Sequence, residues 1–547
     1  MPTGRIKDFA GVLFVLLSSL VLTYKMTQRI DVVATDDDVY FHNGLVATWQ
    51  HLPPIQMAPL FSAWYLFIHH FTGDVIDTYY VSCTLLSILP GLAFYWLLRS
   101  LSVSVLISAA LSICFLFSQL NLPLQPKVSV FTMLFLMGGL IAANYQKKPV
   151  GKLTVAAVSS LLAAYGRPEF FLSFLLLCGI ALAYFAWQRR QTYQPLPYSL
   201  IGVMGTAALL VLAFGSPLAG GRSIIAFGQH FALNYSVWHP EIPASPWMHS
   251  GTFIKHGFGR EVTSLADAFF LNPPLFLRHL GANLVNLLTT TGKNLFDMLV
   301  TPWLSRLVFP GRRYLLLFMA LAVLGLTDWP QTIRTFWRTL KQHGWYWLCV
   351  VVMLVSTYIS CILIYPREHY VLFQIMLYIS LVGLFLQSVK FRNVPILTSL
   401  PTPVGFASFG LLLAVFLLPH WQTANRPQPT PTVDLLRFLQ KIPVKGPVSM
   451  TGNAPLMYDL YLGDNWQFWY LERYHPKDMQ QFFGQFKINC IHVRPEMLEI
   501  YKNDPYFNRL IADPAALDFV RYTSSKPDQY VLVQNQLPSV VHTPHPH

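Results

Sequence analysis

Three consecutive carboxylates, Asp36-Asp37-Asp38, follow the first apolar segment of this chain and open the stretch DDDVYFHNGLVATWQHLPPIQMAPLFSAWY. Carboxylates this close to hydrocarbon are costly and mark an ion path, a metal site or proton-transfer chemistry. Like charges at close range raise one pKa of a set, which suits a general base working near neutral pH. In an extended loop neighbouring side chains point to opposite sides, so one or two of the three can face a cavity at the membrane surface. A solvated acidic loop, or a cap for the helix that follows, is the plainer alternative.

Two further elements carry donors for an anion. Tyr165-Gly166-Arg167-Pro168-Glu169 forms a turn between two apolar runs. Its arginine either pairs internally with Glu169 or holds a phosphate through the guanidinium fork. Tyr365-Pro366-Arg367-Glu368-His369-Tyr370 stands where another apolar run begins. There Arg367, His369 and Tyr370 offer donors at the level of a lipid headgroup. Snorkelling arginines and an ordinary aromatic belt are the bland readings of the two motifs.

The elements that must position these residues are membrane spans. Of the 547 residues, 54% are hydrophobic and 12% are charged, and the mean hydropathy is +0.43. Soluble domains carry about 25% charged residues, so the chain reads as an α-helical polytopic membrane protein. The net charge of +13 is not a nucleic-acid signal, because many basic residues sit in short loops between apolar runs. Apolar stretches fall at 9–27, 78–98, 101–120, 128–145, 150–166, 168–187, 199–215, 314–328, 345–364, 370–388 and 404–420, about 11 transmembrane helices in all. With the N-terminus inside, the inner loops hold Arg99, Lys147, Lys148, Lys152, Arg189, Arg190, Arg334, Arg338, Lys341, Lys390 and Arg392. That is the pattern of the positive-inside rule. The acidic triplet, the external loop at 28–77, the long segment at 216–313 and the C-terminal region then face the non-cytoplasmic side. The first apolar run lacks a small-residue cleavage site and reads as a retained anchor.

The membrane domain reads as residues 1–425, and the stretch at 265–299 suits an interfacial amphipathic helix. The sequon Asn234-Tyr235-Ser236 is a weak glycosylation signal. A Pro-rich linker at 426–431 leads into residues 432–536, read as a small α/β domain outside the membrane, and 537–547 reads as a disordered tail. Helical patterns (VDLLRFLQKI, PKDMQQFFGQF) alternate in that domain with strand patterns (PVSMTG, NCIHV, QYVLVQ). The six cysteines show neither metal spacing nor a disulfide framework.

Taken together, these residues resemble the GT-C superfamily of polytopic membrane glycosyltransferases, the group that includes protein O-mannosyltransferases and the lipid A aminoarabinose transferase. Asp37-Asp38-Val39-Tyr40-Phe41 is similar to the acidic pair, closely followed by aromatics, after that family's first span. Leu52-Pro53-Pro54 and Pro59-Leu60-Phe61-Ser62-Ala63-Trp64-Tyr65 resemble its proline- and aromatic-rich stretch. Arg167-Pro168-Glu169 and Arg367-Glu368-His369-Tyr370 resemble its arginine-bearing turns.

The resemblance implies a GT-C-like fold in a bacterial inner (plasma) membrane and a role in building the cell envelope. It implies transfer of a sugar from a polyprenyl-phosphate-linked donor to a lipid, glycan or protein acceptor on the non-cytoplasmic side. Asp37 is then the general base, and Asp38 orients the acceptor or, with Asp36, helps to hold a divalent metal. Arg167, Arg367, His369 and Tyr370 hold the donor phosphate. The loop from Gln119 to Lys127 lacks the acidic residue many relatives carry there; Lys127 is a phosphate contact instead, and Glu241, Glu261 or Asp267 stands as a substitute acid. The competing readings are a transporter or flippase of lipid-linked intermediates and a catalytically silent assembly protein.

Overall fold

The computed structural model of the chain describes residues 2–32, 37–48, 51–53, 58–118, 120–121, 127–191, 197–217, 222–242, 244–247, 249–299, 325–391, 426–444, 446–452, 458–463, 465–474, 476–523 and 529–535. The chain divides into two compact units. One comprises Met1–Met26, Asn43–Leu66 and Val81–Arg426; the other comprises Thr27–His42, Phe67–Tyr80 and Pro427–His547.

The first helices in the chain are α1 (Pro2–Thr23), α2 (Asp37–Leu45), α3 (Pro59–Thr72) and α4 (Val75–Ser100). They are followed by α5 (Val105–Leu116), α6 (Val128–Tyr145), α7 (Pro149–Ala164), α8 (Phe170–Gln191) and α9 (Tyr198–Phe214). Then come α10 (Arg222–Trp238), α11 (Ser250–Phe258), α12 (Leu265–Leu271), α13 (Pro273–Leu299), α14 (Trp329–Gln342), α15 (Gly344–Leu363) and α16 (Glu368–Ser388). Among the described residues six helices are long and apolar enough to cross a membrane: α4, α6, α8, α15, α16 and the first helix as it continues to Gln28.

One expected span is clearly shorter than the sequence suggests. The run at 101–120 is helical only over the 12 residues of α5. At 1.5 Å per residue that covers about 18 Å of a hydrocarbon core about 30 Å thick. Its start is set by Ser104, whose hydroxyl accepts from the Ile107 amide, after a turn in which Ser102 takes a positive φ of 62°. Helices α7 and α9 are apolar but have 16 and 17 residues. The expected span at 404–420 and most of that at 314–328 lie outside the described residues, as does the tail at 537–547.

Hydrogen bonds between helices hold the membrane bundle where apolar packing alone gives no preference over lipid. Ser173 of α8 donates to the Met353 carbonyl and bonds the Ser356 hydroxyl of α15, both at 2.8 Å. Tyr346 and Ser380 join α15 to α16 at 2.6 Å. Arg99 pairs with Asp8 at 2.6 Å, tying α4 to α1.

Helix α13 inverts the usual amphipathic arrangement. Its buried stripe carries His279, Asn283, Thr291, Asn294 and Asp297, while Leu277, Leu284, Val285, Leu288 and Phe296 are exposed. Phe276, Leu287 and Met298 share the buried stripe, and Arg278 and Lys293 the exposed side, so the outer face is apolar in part, as an interfacial helix requires. The aromatic cluster of Phe227, Phe231, Phe253, Phe258 and Phe276 packs α10 and α11 against its first turns.

The second unit is built on a five-stranded sheet of β1 (Val448–Gly452), β2 (Trp466–Tyr470), β3 (Cys490–Val493), β4 (Phe519–Thr523) and β5 (Tyr530–Gln534). The order is β2-β1-β3-β5-β4. Strand β1 pairs in parallel with β2 and β3, and β5 pairs antiparallel with β3 and β4. Val448 to Gly452 and Cys490 to Val493 are buried along their whole length, as central strands covered on both faces must be. Helix α17 (Pro431–Gln440) precedes the sheet. Residues 27–42 and 67–80 belong to the same unit, so it is larger than the C-terminal segment alone.

Candidate functional site: a cationic cluster at the ends of the spans

Arg167 owes its position to the glycine before it. A Cβ on Gly166 would lie 2.4 Å from the Thr132 hydroxyl of α6, so only glycine lets the turn after α7 approach the first turns of α6. Pro168 then disfavours helical backbone at Arg167 and ends the turn. The Arg167 guanidinium bonds Glu169 at 2.9 Å in a largely buried ion pair. It also lies 4.3 Å from the centre of the Tyr370 ring. Lys127 stands just before α6, at its N-cap position.

The second arginine comes from the strip between α15 and α16. Arg367 occupies the N-cap position of α16, with extended backbone, and its guanidinium lies 5.0 Å from the centre of the Trp247 ring. Trp247 packs edge-on against His230 at 5.5 Å, and His230 stacks on Tyr365 at 6.0 Å and faces Tyr370 at 6.1 Å. His369 and Tyr370 are in ring contact at 4.3 Å. The charges that act on His369 are those of Arg167, Arg367, Lys127 and His230. Lys127, Arg167, Arg367, His369 and Tyr370, scattered over 244 positions of sequence, are therefore one neighbourhood.

The acids beside these residues are engaged, Glu169 with Arg167 at 2.9 Å and the exposed Glu368 with Lys293 at 3.3 Å. Arg167 and Arg367 are each seated against an aromatic ring, a contact that holds a guanidinium by its plane.

A buried polar network behind the strip sets its direction. Asn283 donates to the carbonyls of Ile362 and Ile364 at 2.8 and 3.0 Å, and His279 Nε2 reaches the Leu363 carbonyl at 3.3 Å. These are the last carbonyls of α15, which a helix leaves without internal partners. Asn234 donates to His279 Nδ1 at 3.0 Å and to the Asn283 side-chain oxygen at 2.8 Å. That arrangement assigns the proton of His279 to Nε2. Burial pushes the His279 pKa down to about 4, so the ring is neutral at physiological pH. Asn234, the sequon residue, is buried with its amide committed to this network.

Where an extended loop is expected, helix α2 begins at Asp37 and includes Asp38; Asp36 lies outside the described residues. Asp38 is buried at 3% exposure. Helix α2 runs against α3 through Gly44, whose Cβ would meet the Ser62 carbonyl at 2.3 Å.

The three acids weighed as substitutes are each occupied at the surface. Glu241 bonds His239 at 2.8 Å, Glu261 bonds Lys255 at 2.9 Å, and Asp267 bonds Arg260 at 2.7 Å. Among the described residues no group of three or more His, Cys, Asp or Glu side chains is arranged to hold a metal ion.

Sequence reasoning missed His230, Trp247, Asn234, His279 and Asn283. The pair at 279 and 283 carried a signal, since polar residues four apart share a helix face; Trp247 carried none.

No family model matches the chain, and no curated protein matches it. Among solved structures, the chain is similar to that titled "Crystal Structure of ArnT from Cupriavidus metallidurans bound to Undecaprenyl phosphate". The likeness covers 97% of this chain and 98% of that one, at 11% identity and a TM-score of 0.45. A likeness of that size carries no weight for family or function.

Proposed function

We propose that this protein is a membrane glycosyltransferase of the GT-C type, moving a sugar from a polyprenyl-phosphate-linked donor to an acceptor on the non-cytoplasmic side. The observation that carries this reading is that Arg167 lies 4.3 Å from the Tyr370 ring, beside Arg367 and His369, with Lys127 within electrostatic reach. The three cations stand just before spans α6, α8 and α16, where a lipid headgroup would lie in this reading. In this reading the cations bind the donor phosphate and stabilise the charge it gains as the sugar–oxygen bond breaks. The acceptor oxygen forms the new bond to the sugar carbon, and Asp37 takes the acceptor's proton. Asp38 orients the acceptor.

The test is binding of a C55 polyprenyl phosphate to the purified protein, alongside mass spectrometry of glycolipids and glycoproteins from cells lacking it. Arg167→Ala and Arg367→Ala should each weaken lipid-phosphate binding about tenfold or more, the loss of a hydrogen-bonded charge contact. Cells lacking the protein should lose a glycosylated product that the Asp37→Asn variant does not restore. Equal binding by wild type and both arginine variants removes the donor assignment.

A further inference from the structure

The acid-bearing segment and the C-terminal domain are bonded to each other at two points. Helix α17 begins with Pro431 at its first position, and its N-cap residue Thr430 makes no side-chain cap. The next two amides of such a helix need acceptors. They find them in Asp31: its carboxylate accepts from Thr432 N at 2.8 Å and from Val433 N at 3.1 Å. An aspartate 401 positions upstream thus does what an N-cap side chain ordinarily does for its own helix. At the other point Arg437, on the same helix, donates to both oxygens of Asp74 at 3.2 and 3.3 Å. It also pairs with Asp77 at 3.5 Å.

Three more contacts lie within this unit. The Gln428 amide donates to the Gln28 carbonyl at 2.9 Å. The Tyr80 hydroxyl donates to the Ile30 carbonyl at 2.8 Å. Phe41 of α2 packs edge-on against the buried ring of Tyr461, with centres 6.1 Å apart. Gln28, Asp31 and Phe41 thus each bond to or pack on the C-terminal domain, while Ile30 is held from α4.

We propose that Asp31 and Arg437 are positioning residues, a clasp through which the C-terminal domain sets the placement of α2 and its acids. This rests on the reading of Asp37 and Asp38 as the acids of sugar transfer, and it gives the C-terminal domain a part in turnover. The domain acts on the acid side of the reaction and leaves donor-phosphate affinity unchanged.

The decisive experiment is hydrogen exchange on the full-length protein in lipid nanodiscs, compared across Asp31→Ala, Arg437→Ala and Asp31→Ala with Thr430→Asp. The clasp predicts about tenfold faster exchange of amides 38–45 in Asp31→Ala, with a smaller rise in Arg437→Ala, since that pair is half-exposed. Thr430→Asp gives α17 a local cap; it should restore exchange within α17 but not in residues 38–45. C55 polyprenyl phosphate binding should stay at the wild-type value throughout, while the glycosylated product falls. Unchanged exchange in Asp31→Ala, or full recovery of residues 38–45 on adding Thr430→Asp, overturns the clasp. An Asp37→Asn variant that keeps full transfer sinks the catalytic reading instead and leaves the exchange result standing.

Discussion

The guanidinium of Arg167 sits 4.3 Å from the ring centre of Tyr370, across 203 residues of sequence, while its Nε bonds Glu169 at 2.9 Å. One face and one edge of the side chain are thereby fixed. A cation held in this way loses little freedom when an anion arrives, which is what preorganised recognition requires.

Tyr370→Leu should therefore weaken C55 polyprenyl phosphate binding by about 0.5–2 kcal/mol, the range of a cation–π contact. Tyr370→Phe should bind within about twofold of wild type, because its ring keeps the face that the arginine uses. Titration calorimetry in detergent or nanodiscs separates the two, and equal losses in both variants would assign the effect to the hydroxyl.

Gly166→Ala should also weaken that binding, since the added methyl meets the Thr132 hydroxyl at 2.4 Å. Shortening the obstacle with Thr132→Ala should recover most of the loss in the double variant. No recovery means that Gly166 matters for a reason other than its approach to α6.

The network behind the strip gives a stability prediction. Asn283→Ala leaves the Ile362 and Ile364 carbonyls without their donor and should cost about 1–3 kcal/mol. Asn283→Asp should cost more, because a carboxylate would face carbonyl oxygens. Thermal unfolding in detergent measures both, and Leu284→Ala on the exposed face is the control.

His279 makes stability pH-dependent, and the direction follows from its lowered pKa. The ordinary value is about 6.5 and burial takes it to about 4, so the unfolded chain binds the proton more readily. The contribution of this residue is fully present above pH 6.5 and is lost as the pH falls towards 4, by about 1.4 kcal/mol per unit. Replacement by Gln should flatten that part of the profile. A profile identical to wild type over pH 4–6.5 would count against a neutral, buried His279.

For the acids, Asp37→Asn should abolish transfer, Asp38→Asn should reduce it and Asp36→Asn should have the mildest effect. Membrane insertion and C55 polyprenyl phosphate binding should be unchanged in all three. Detection of the glycosylated product in cells expressing each variant decides the order.

Much of the cation cluster was legible because its residues occupy the ends of apolar runs, where hydropathy and charge can be read independently. Arg167 and Arg367 announced themselves by standing beside proline at such ends. Their gathering was not legible, since it depends on Gly166 fitting against Thr132 and on aromatic neighbours supplied by distant loops. The strands at 448–452, 490–493 and 530–534 were visible as short apolar runs. Strand β2, WQFWY, was missed because a short aromatic run beside a helix has no clear period. The helical start at Asp37 is less legible, because a run of acids suits a solvated loop as well as the start of a helix.

The inverted α13 joins two surroundings that seldom share a helix. Leu284, Val285 and Leu288 are exposed on one side, while His279 and Asn283, on the opposite side, grip the end of α15 where it passes into Arg367. In the proposed reading that exposed side meets acyl chains, so bilayer thickness would reach the end of α15 through a single helix, and transfer by the same protein should differ in rate between thin and thick membranes.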